Sequence, residues 1–328
     1  MRWFGAMQAQ DFGAAQWAVG LRIRGDSTVA IVERAFDQGK VLRTHVMRPT
    51  WHFVSPQDIR WMLDLTGARV RRAVSSYNRK LGLNAEVFSR ARSAFERSLR
   101  DRAFLTRAEL GERLQQNGMI LDGVQLTQVV MNAELEGVIC SGPRNGKQFT
   151  YALLAERAPS AAVLQRDEAL LTLARRFLRS HGPATLRDFA WWSGMTVSDA
   201  KRGFDMNRAR QHQCNGQAYW TVGMDHRLST GIGAPHGIAL LPAYDEYSVA
   251  YRDRLADPGS VVGAPTVVTE KGSVGTWRVI RVARGLRILL AISKVFTKCQ
   301  ESALAQAVDR YACFRTLPCE FSVSRKAH

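Results

Sequence analysis

The first polar side chains that could do chemistry lie close to the N-terminus. Gln8 and Gln10 are separated by one residue, so both lie on one face if this segment is extended. A carboxamide oxygen accepts hydrogen bonds, and two such groups could hold and orient a water molecule. Asp11 follows directly and offers a stronger base. By spacing alone, the pattern is more typical of a polar segment that enters a helix.

A second polar cluster, Asp245 and Glu246, is a carboxylate pair of the kind used in acid–base catalysis. We interpret it as structural, in an ion-pair network with Arg252 or Arg254 that fixes a domain interface. The sequence lacks the phosphate-loop, zinc-protease and nucleophile-elbow motifs G-x-x-x-x-G-K-[ST], H-E-x-x-H and G-x-S-x-G. Its five cysteines form no C-x-x-C pair. We therefore expect no cofactor, no metal and no disulfide framework.

Basic residues outnumber acidic ones, 46 to 29 among 328 residues, which gives a formal net charge of +17. The excess lies in two blocks. Residues 69–107 include eleven basic and three acidic residues, and residues 271–298 include seven basic residues and no acidic one. Such blocks attract polyanions, because phosphate contacts release condensed counterions. We expect a nucleic-acid partner, with RNA as an alternative on charge alone.

A membrane partner is the weaker interpretation. The second basic block alternates apolar and basic residues over Trp277–Val282, which is a strand pattern, whereas a membrane-surface helix needs a separate apolar face. No apolar run is long enough to span a bilayer, and the N-terminus lacks the layout of a signal peptide. We expect a cytoplasmic protein without a membrane partner.

One order of elements recurs along the first 225 residues: helices, some opened by capping residues, and then a hairpin. The middle copy shows it most clearly. Thr106 and Glu109 have the spacing of a capping box, and Asn145-Gly146 is a hairpin turn signal. A helix–turn–helix followed by a β-hairpin describes a winged helix, so the pattern predicts tandem winged helices.

The third copy has the same signals. Thr185 and Thr196 begin helices, and Asn215-Gly216 turns a hairpin. After about residue 235 the sequence pattern changes and predicts short strands, with one helix that begins at Glu301. We expect the tail, residues 321–328, to fray.

These patterns predict an α+β fold of tandem winged-helix units followed by a β-rich C-terminal domain. The predicted ranges are 1–83 for an N-terminally shortened first winged helix with a connecting basic helix, 84–160 for the second winged helix, 161–230 for the third, and 231–328 for the β-rich domain with its terminal helix.

Six strings along the chain occur in the same order in one protein family. They are Gly5–Gln10, Arg43–His52, Leu105–Leu110, Asp188–Gly194, Leu240–Tyr247 and Val274–Trp277. On these strings the chain resembles the winged-helix DNA glycosylases of the azinomycin-resistance and crosslink-unhooking type (AlkZ/YcaQ-like). The resemblance implies a concave, C-shaped DNA-binding surface of tandem winged helices, closed by a C-terminal β domain. Only seven residues precede Gln8, where the family usually has an additional helix.

The resemblance also implies a DNA glycosylase that hydrolyses the N-glycosidic bond of N7-alkylguanine, including guanine within interstrand crosslinks. Because the sequence lacks a helix-hairpin-helix glycosylase pattern with a catalytic lysine, we expect a monofunctional enzyme without lyase activity. The N7-alkylated base is cationic and leaves without protonation. The protein then needs to hold a water beneath C1′ and to tolerate an oxocarbenium-like sugar. Our hypothesis gives this work to Gln8 and Gln10, which match the family's Q-x-Q signature. The implied partner is double-stranded DNA with alkylated purines, bound by a monomer associated with the nucleoid.

Two hairpins are candidate DNA contacts. The first is a basic wing beside Trp51, and the second resembles a family hairpin that approaches DNA near the lesion. The predicted DNA-binding residues are Arg43, Arg48, Thr50 and His52 in the first hairpin, and Lys271, Gly272 and Arg278 in the second. We expect Trp191 and Trp192 in a helix core. The alternative function is a non-catalytic winged-helix DNA-binding protein, either a transcription regulator or a nucleoid protein.

Overall fold

The structure, a computed structural model, describes residues 1–223, 237–253, 257, 259 and 262–325. The chain is a mixed α+β protein with two compact units. The first unit is Met1–Ala9 with Ala35–Val222, and the second unit is Gln10–Arg34 with Gly223–His328. Among the described residues, none of the helices combines the length and apolar character that crossing a bilayer requires.

Helices and strands are distributed over both units. The helices are α1 (Phe12–Gly20), α2 (Val29–Asp37), α3 (Ile59–Lys80), α4 (Ala85–Ser98), α5 (Arg107–Gln116), α6 (Gly123–Leu135), α7 (Leu154–Arg157), α8 (Arg166–His181), α9 (Leu186–Ser193), α10 (Val197–Met206), α11 (Glu246–Val249) and α12 (Lys298–Arg315). The strands are β1 (Ala6–Gln8), β2 (Leu42–Val46), β3 (Arg48–Val54), β4 (Leu105–Thr106), β5 (Ile139–Ser141), β6 (Thr150–Leu153), β7 (Arg210–Cys214), β8 (Gln217–Thr221), β9 (Ala239–Leu241), β10 (Thr266–Thr269), β11 (Gly272–Val282), β12 (Gly285–Ile292) and β13 (Cys319–Arg325).

A three-stranded antiparallel sheet in the order β1-β3-β2 lies at the start of the first unit. The short strand β1 pairs with β3, and this pairing sets Gln8 opposite His52. Leu42, Phe53 and Val54 are fully buried and anchor β2 and β3 in the core. The sheet therefore places Gln8 at the last residue of an edge strand.

The middle part of the first unit packs α4, α5 and α6 with the sheet β4-β6-β5. Phe95, Leu110 and Ile139 share one core there. The capping box predicted at Thr106 and Glu109 is confirmed, since each residue's side chain accepts from the other's backbone amide.

The last part of the first unit contains α8, α9, α10 and the hairpin β7–β8. Thr185 and Thr196 form capping boxes with Asp188 and Asp199, which confirms the two predicted helix starts. The turn predicted at Asn215-Gly216 is also confirmed, because both residues have positive φ, 50° and 75°, and Cys214 pairs with Gln217.

The second unit is built on a five-stranded sheet in the order β13-β12-β11-β10-β9. Neighbouring strands are antiparallel except β12 and β13, which are parallel. Trp17 of α1 packs against Tyr311 and Phe314 of α12, and its indole donates to the Leu240 carbonyl oxygen at 2.7 Å. The sheet and these two helices form one core.

Two expectations about the chain differ from the structure. Of the tail predicted to fray, residues 321–325 belong to β13, because their backbone pairs with Ile288–Ile292 along β12, and residues 326–328 lie outside the described residues. Residues 10–34, which the prediction grouped with residues 1–83, belong to the second unit because Trp17 and Val32 lie in its core. The predicted boundary at residues 230 and 231 lies outside the described residues, and the division into four domains stays a prediction.

Candidate active site

Gln8 ends the edge strand β1 and is half-buried. Its Oε1 accepts a hydrogen bond from Nη2 of Arg48 at 3.0 Å. The pairing with β3 extends one residue further, because the Ala9 amide donates to the Trp51 carbonyl oxygen at 2.7 Å. Backbone pairing and a guanidinium contact therefore fix Gln8 together.

Arg43 supports the same segment from the interior. It is 7% exposed, and its Nε donates to the Ala9 carbonyl oxygen at 2.9 Å. Its guanidinium carbon lies 4.2 Å from the ring centroid of Trp51 and 4.5 Å from that of Phe149. Burial lowers the pKa of Arg43 to about 10. The phosphate contact predicted for Arg43 does not fit a buried guanidinium, which instead holds the carbonyl group between the two glutamines.

The turn before Arg48 packs against the C-terminal end of α9. Met47 has a left-handed backbone, with φ 64°, and Gly194 at the end of α9 has φ 69°. A Cβ atom at Gly194 would overlap the Met47 carbonyl oxygen, so only glycine fits this approach. Arg69 of α3 donates from Nε to the Gly194 carbonyl oxygen at 2.8 Å. Three distant segments therefore fix the position from which Arg48 reaches Gln8.

Helix α9 also brings Trp191 beside Arg48. The Arg48 guanidinium carbon lies 5.9 Å from the centroid of the Trp191 ring, and Trp191 is 50% exposed. Trp192 is fully buried and packs against Phe177 and Phe189. The core prediction is thus correct for Trp192 and wrong for Trp191. Phe189 and Trp192 are three residues apart and share the core face of α9. Neighbouring helical residues point about 100° apart, so Trp191 points away from this face.

His52 and Thr50 differ in their exposure. His52 is 1% exposed, and its Nδ1 lies 2.9 Å from the Thr50 carbonyl oxygen. A buried ring cannot meet a DNA phosphate, so the predicted contact of His52 does not fit the structure, and its contact with Thr50 braces β3. Thr50 and Arg48 are half-buried and keep their predicted DNA contacts as proposals.

Gln10 is exposed and is the first residue of the second unit. Asp11 next to it is the N-cap of α1, where its Oδ1 accepts from the Ala14 amide at 3.0 Å. The carboxylate considered as a stronger base thus has a capping function, whereas the Gln10 amide lies at the surface.

The second predicted hairpin is β10–β11 of the second unit. Lys271 and Arg278 are exposed, and Gly272 has φ 99° at the turn. Asp257 braces this turn, because its Oδ2 accepts from the Ser273 amide at 3.0 Å. The hairpin thus presents exposed Lys271 at a braced turn and exposed Arg278 farther along β11, and both side chains can meet phosphates.

Of the carboxylate pair in the second unit, Asp245 has a structural contact, and its partner is Arg22. Asp245 is buried and accepts two hydrogen bonds from the Arg22 guanidinium, at 2.7 and 2.8 Å. Burial tends to lower the pKa of Arg22, and the Asp245 carboxylate outweighs it and raises the value. Arg252 pairs with Asp253 at 3.7 Å, and Arg254 lies outside the described residues.

Three residues that shape the site of Gln8 were not predicted as site residues: Arg69, Trp191 and Gly194. Trp191 carried a signal, because the spacing of Phe189 and Trp192 leaves it off the core face. The Arg69–Gly194 contact joins residues far apart in sequence and has no local signal. Within the described part of the chain, no three His, Cys, Asp or Glu side chains are grouped so that they could hold a metal ion.

Comparison with known proteins gives the family of the chain. The family described as DNA glycosylase AlkZ-like matches residues 1–314. The chain belongs to this family. A curated AlkZ-like relative, the interstrand DNA cross-link repair glycosylase of Streptomyces sahachiroi, is 23% identical in a 299-residue alignment that covers 84% of this chain and 80% of the relative.

The AlkZ-like fold is shared with a solved structure. The Streptomyces sahachiroi DNA glycosylase AlkZ superimposes with a TM-score of 0.75 at 22% identity, over 98% of this chain and 92% of that chain. The resemblance drawn from the sequence strings is therefore confirmed at the level of the family and of the α+β fold.

Proposed function

We propose that this chain is a monofunctional DNA glycosylase that hydrolyses the N-glycosidic bond of N7-alkylguanine, including guanine in interstrand crosslinks. The observation that carries the proposal is the fixed carboxamide of Gln8. It lies at a sheet edge, with Oε1 3.0 Å from Arg48 Nη2. The crosslink repair named for the AlkZ-like relative supports the wider substrate range.

The chemistry suits a neutral amide. N7-alkylguanine carries a positive charge, so the base leaves without a general acid, and the remaining tasks are to place water and to stabilise a sugar cation. The Gln8 carboxamide is held by Arg48, and its oxygen is the acceptor that we expect to orient the attacking water. Gln10 supplies a second amide that orients the water or the sugar. No lysine takes part, so no lyase step follows.

DNA binding rests on the basic blocks and on the recurring elements. We propose that α4–α6 with β4-β6-β5, and α8–α10 with β7–β8, are winged helices, and that the N-terminal sheet with α3 belongs to the first one. This assignment follows the ranges 1–83, 84–160, 161–230 and 231–328, except that residues 10–34 belong to the second unit. Arg48 and Thr50 contact the backbone of double-stranded DNA, and Lys271, Gly272 and Arg278 do so from the second unit. The protein acts as a monomer on nucleoid DNA in the cytoplasm.

Excision of 7-methylguanine tests the proposal. Duplex DNA with one 7-methylguanine is incubated with the wild-type protein, Gln8→Ala or Gln10→Ala, and abasic sites are revealed by alkali. We expect wild-type cleavage and a loss of about 100-fold or more in each variant. Gln115→Ala, an exposed glutamine on α5, is the matched control and should cleave as wild type.

Binding to the same duplex separates catalysis from folding and affinity. We expect both site variants to bind DNA as the wild type does, because a single amide adds little to many phosphate contacts. Wild-type excision in both variants would exclude the two glutamines from catalysis. A wild-type protein that binds DNA and leaves no abasic sites would support the non-catalytic DNA-binding function instead.

A further inference from the structure

Trp191 is a large apolar side chain on the surface beside Arg48, the arginine that is hydrogen-bonded to the candidate catalytic residue. It is 50% exposed, although Trp192 next to it is fully buried. A single exposed aromatic residue is common on protein surfaces and needs no function. Its neighbours, rather than its exposure, distinguish Trp191.

One guanidinium links Trp191 to Gln8. Arg48 donates to Gln8 Oε1 at 3.0 Å, and the same guanidinium group lies 5.9 Å from the Trp191 ring centroid. Trp3 provides a comparison, since it is 54% exposed and lies 5.1 Å from the guanidinium of Arg179. The two tryptophans are alike in exposure and in arginine contact, but only the arginine of Trp191 is hydrogen-bonded to Gln8.

The helix that carries Trp191 is held firmly. Thr185 and Asp188 close its N-terminus with a buried capping box. Phe189 and Trp192 anchor it in the core, and Gly194 at its C-terminal end lies against Met47. An indole on such a helix loses little conformational freedom when a ligand contacts it.

We propose that Trp191 is the stacking surface for the planar aromatic group that the substrate places next to Gln8. This inference rests on the proposed glycosylase function. The ring that fits best is the N7-alkylated guanine, because it is flat and cationic and the face of an indole is electron-rich. An aromatic ring on the alkyl adduct offers the same planar chemistry from a second source.

Binding to uncleavable lesions tests the stacking surface without any need for catalysis. Three duplexes are compared: undamaged, with 2′-fluorinated 7-methylguanine, and with the 2′-fluorinated 7-benzyl analogue. The lesion preference is the ratio of the dissociation constants for undamaged and damaged duplexes, measured by fluorescence anisotropy. The proteins are the wild type, Trp191→Ala, Trp191→Phe and the control Trp3→Ala.

We expect Trp191→Ala to lose lesion preference by about 10-fold, a typical effect of removing a base-stacking side chain. Trp191→Phe should keep most of the preference because it retains a ring, and Trp3→Ala should match the wild type. Loss with both lesions assigns the stacked ring to the guanine, and loss with the benzyl lesion alone assigns it to the adduct. A Trp191→Ala protein with the full preference for both lesions overturns the proposal.

Failure of this inference is distinguishable from failure of the proposed function. A wild-type protein that prefers lesions but leaves no abasic sites in cleavable 7-methylguanine DNA contradicts the glycosylase activity and leaves the stacking surface standing. A wild type that excises, together with a Trp191→Ala variant of unchanged preference, contradicts only the stacking surface. A wild type without lesion preference excludes the stacking surface in either case.

Discussion

Arg48 donates a hydrogen bond to Gln8, with 3.0 Å between Nη2 and Oε1. The bond joins the start of β3 to the end of β1, two strands that are already paired through Gln8 and His52. It sets the direction of the Gln8 carboxamide, and Arg48 is therefore a positioning residue for the proposed hydrolysis.

Arg48→Lys should slow excision while DNA binding persists. Lysine keeps the charge, but its ammonium lacks the planar fork that reaches the Gln8 oxygen. We expect the single-turnover rate on 7-methylguanine DNA to fall about 10-fold or more, because misplacement of a reacting group by about 1 Å has effects of this size or larger. Arg113→Lys on α5 controls for the change of residue type. An unaltered rate in Arg48→Lys would show that this hydrogen bond does not matter to catalysis.

Gly194→Ala should destabilise the first unit and disturb the site together. The left-handed backbone costs alanine about 1 kcal/mol, and the overlap of its Cβ with the Met47 carbonyl adds to that cost. Gly146→Ala separates the two effects, since Gly146 has φ 58° but nothing within 4 Å of an added Cβ. In urea unfolding, the loss of unfolding free energy should be at least twice as large for Gly194→Ala as for Gly146→Ala. Equal losses would mean that the backbone at residue 47 yields easily.

Asp58→Ala should be strongly destabilising. Asp58 is 3% exposed and accepts from both Nη atoms of Arg176, at 2.7 and 3.0 Å. Its removal leaves a largely buried guanidinium without its carboxylate, which costs about 3 kcal/mol or more in unfolding free energy. Asp205→Ala removes an exposed pair with Lys201 and should cost about 0.5 kcal/mol or less. Similar urea midpoints for the two variants would contradict this ranking.

Lys271→Ala should weaken DNA binding in a salt-dependent manner. If Lys271 contacts one phosphate, the slope of log affinity against log salt concentration should decrease in magnitude by about 0.9. Arg287→Ala removes a charge from the same sheet, but Arg287 already binds Glu320 at 2.7 Å and should change the slope less. Titrations at several salt concentrations measure both. An unchanged slope in Lys271→Ala would remove this residue from the interface.

Asp199→Asn should reduce stability at neutral pH and have less effect in acid. Burial tends to raise the pKa of Asp199, but hydrogen bonds from Thr196 and the charges of Arg166 and Arg69 hold it below its ordinary value of 3.8. A carboxyl group whose pKa is lowered by folding stabilises the fold when the pH is above its pKa in the unfolded chain. This contribution is lost as the pH falls through its pKa in the folded protein. The difference in unfolding free energy from the wild type should therefore be larger at pH 7 than at pH 3. A constant difference at both pH values would contradict this linkage.

Local signals predicted the fold where the chemistry itself is local. The capping box of Thr106 and Glu109 and the turn at Asn215-Gly216 involve residues within three positions of each other, and both are present as expected. Trp17 shows the limit. Its helix begins next to the predicted site, but its ring donates a hydrogen bond to Leu240 of the second unit. Contacts between residues so far apart in sequence cannot be predicted from hydrophobic periodicity.

The site shows the same division. Gln8 could be singled out because its string resembles a family signature, and its edge position follows from a strand pairing. The burial of Arg43 and His52 could not be inferred from the sequence, since a basic residue on a strand points inward or outward according to which face of the sheet is covered. Arg43 and His52 are buried, whereas Arg48 is half-buried next to Gln8.

The close approach of Gly194 to Met47 has a consequence for biosynthesis. A ribosome releases Gln8, Met47 and Arg48 long before it reaches α9, so a nascent chain carries these residues without the helix that locks their turn. Contacts between distant segments form late and slowly. The turn at Met47 therefore lacks its contact with Gly194 until α9 has emerged, and the geometry from which Arg48 reaches Gln8 is complete only then.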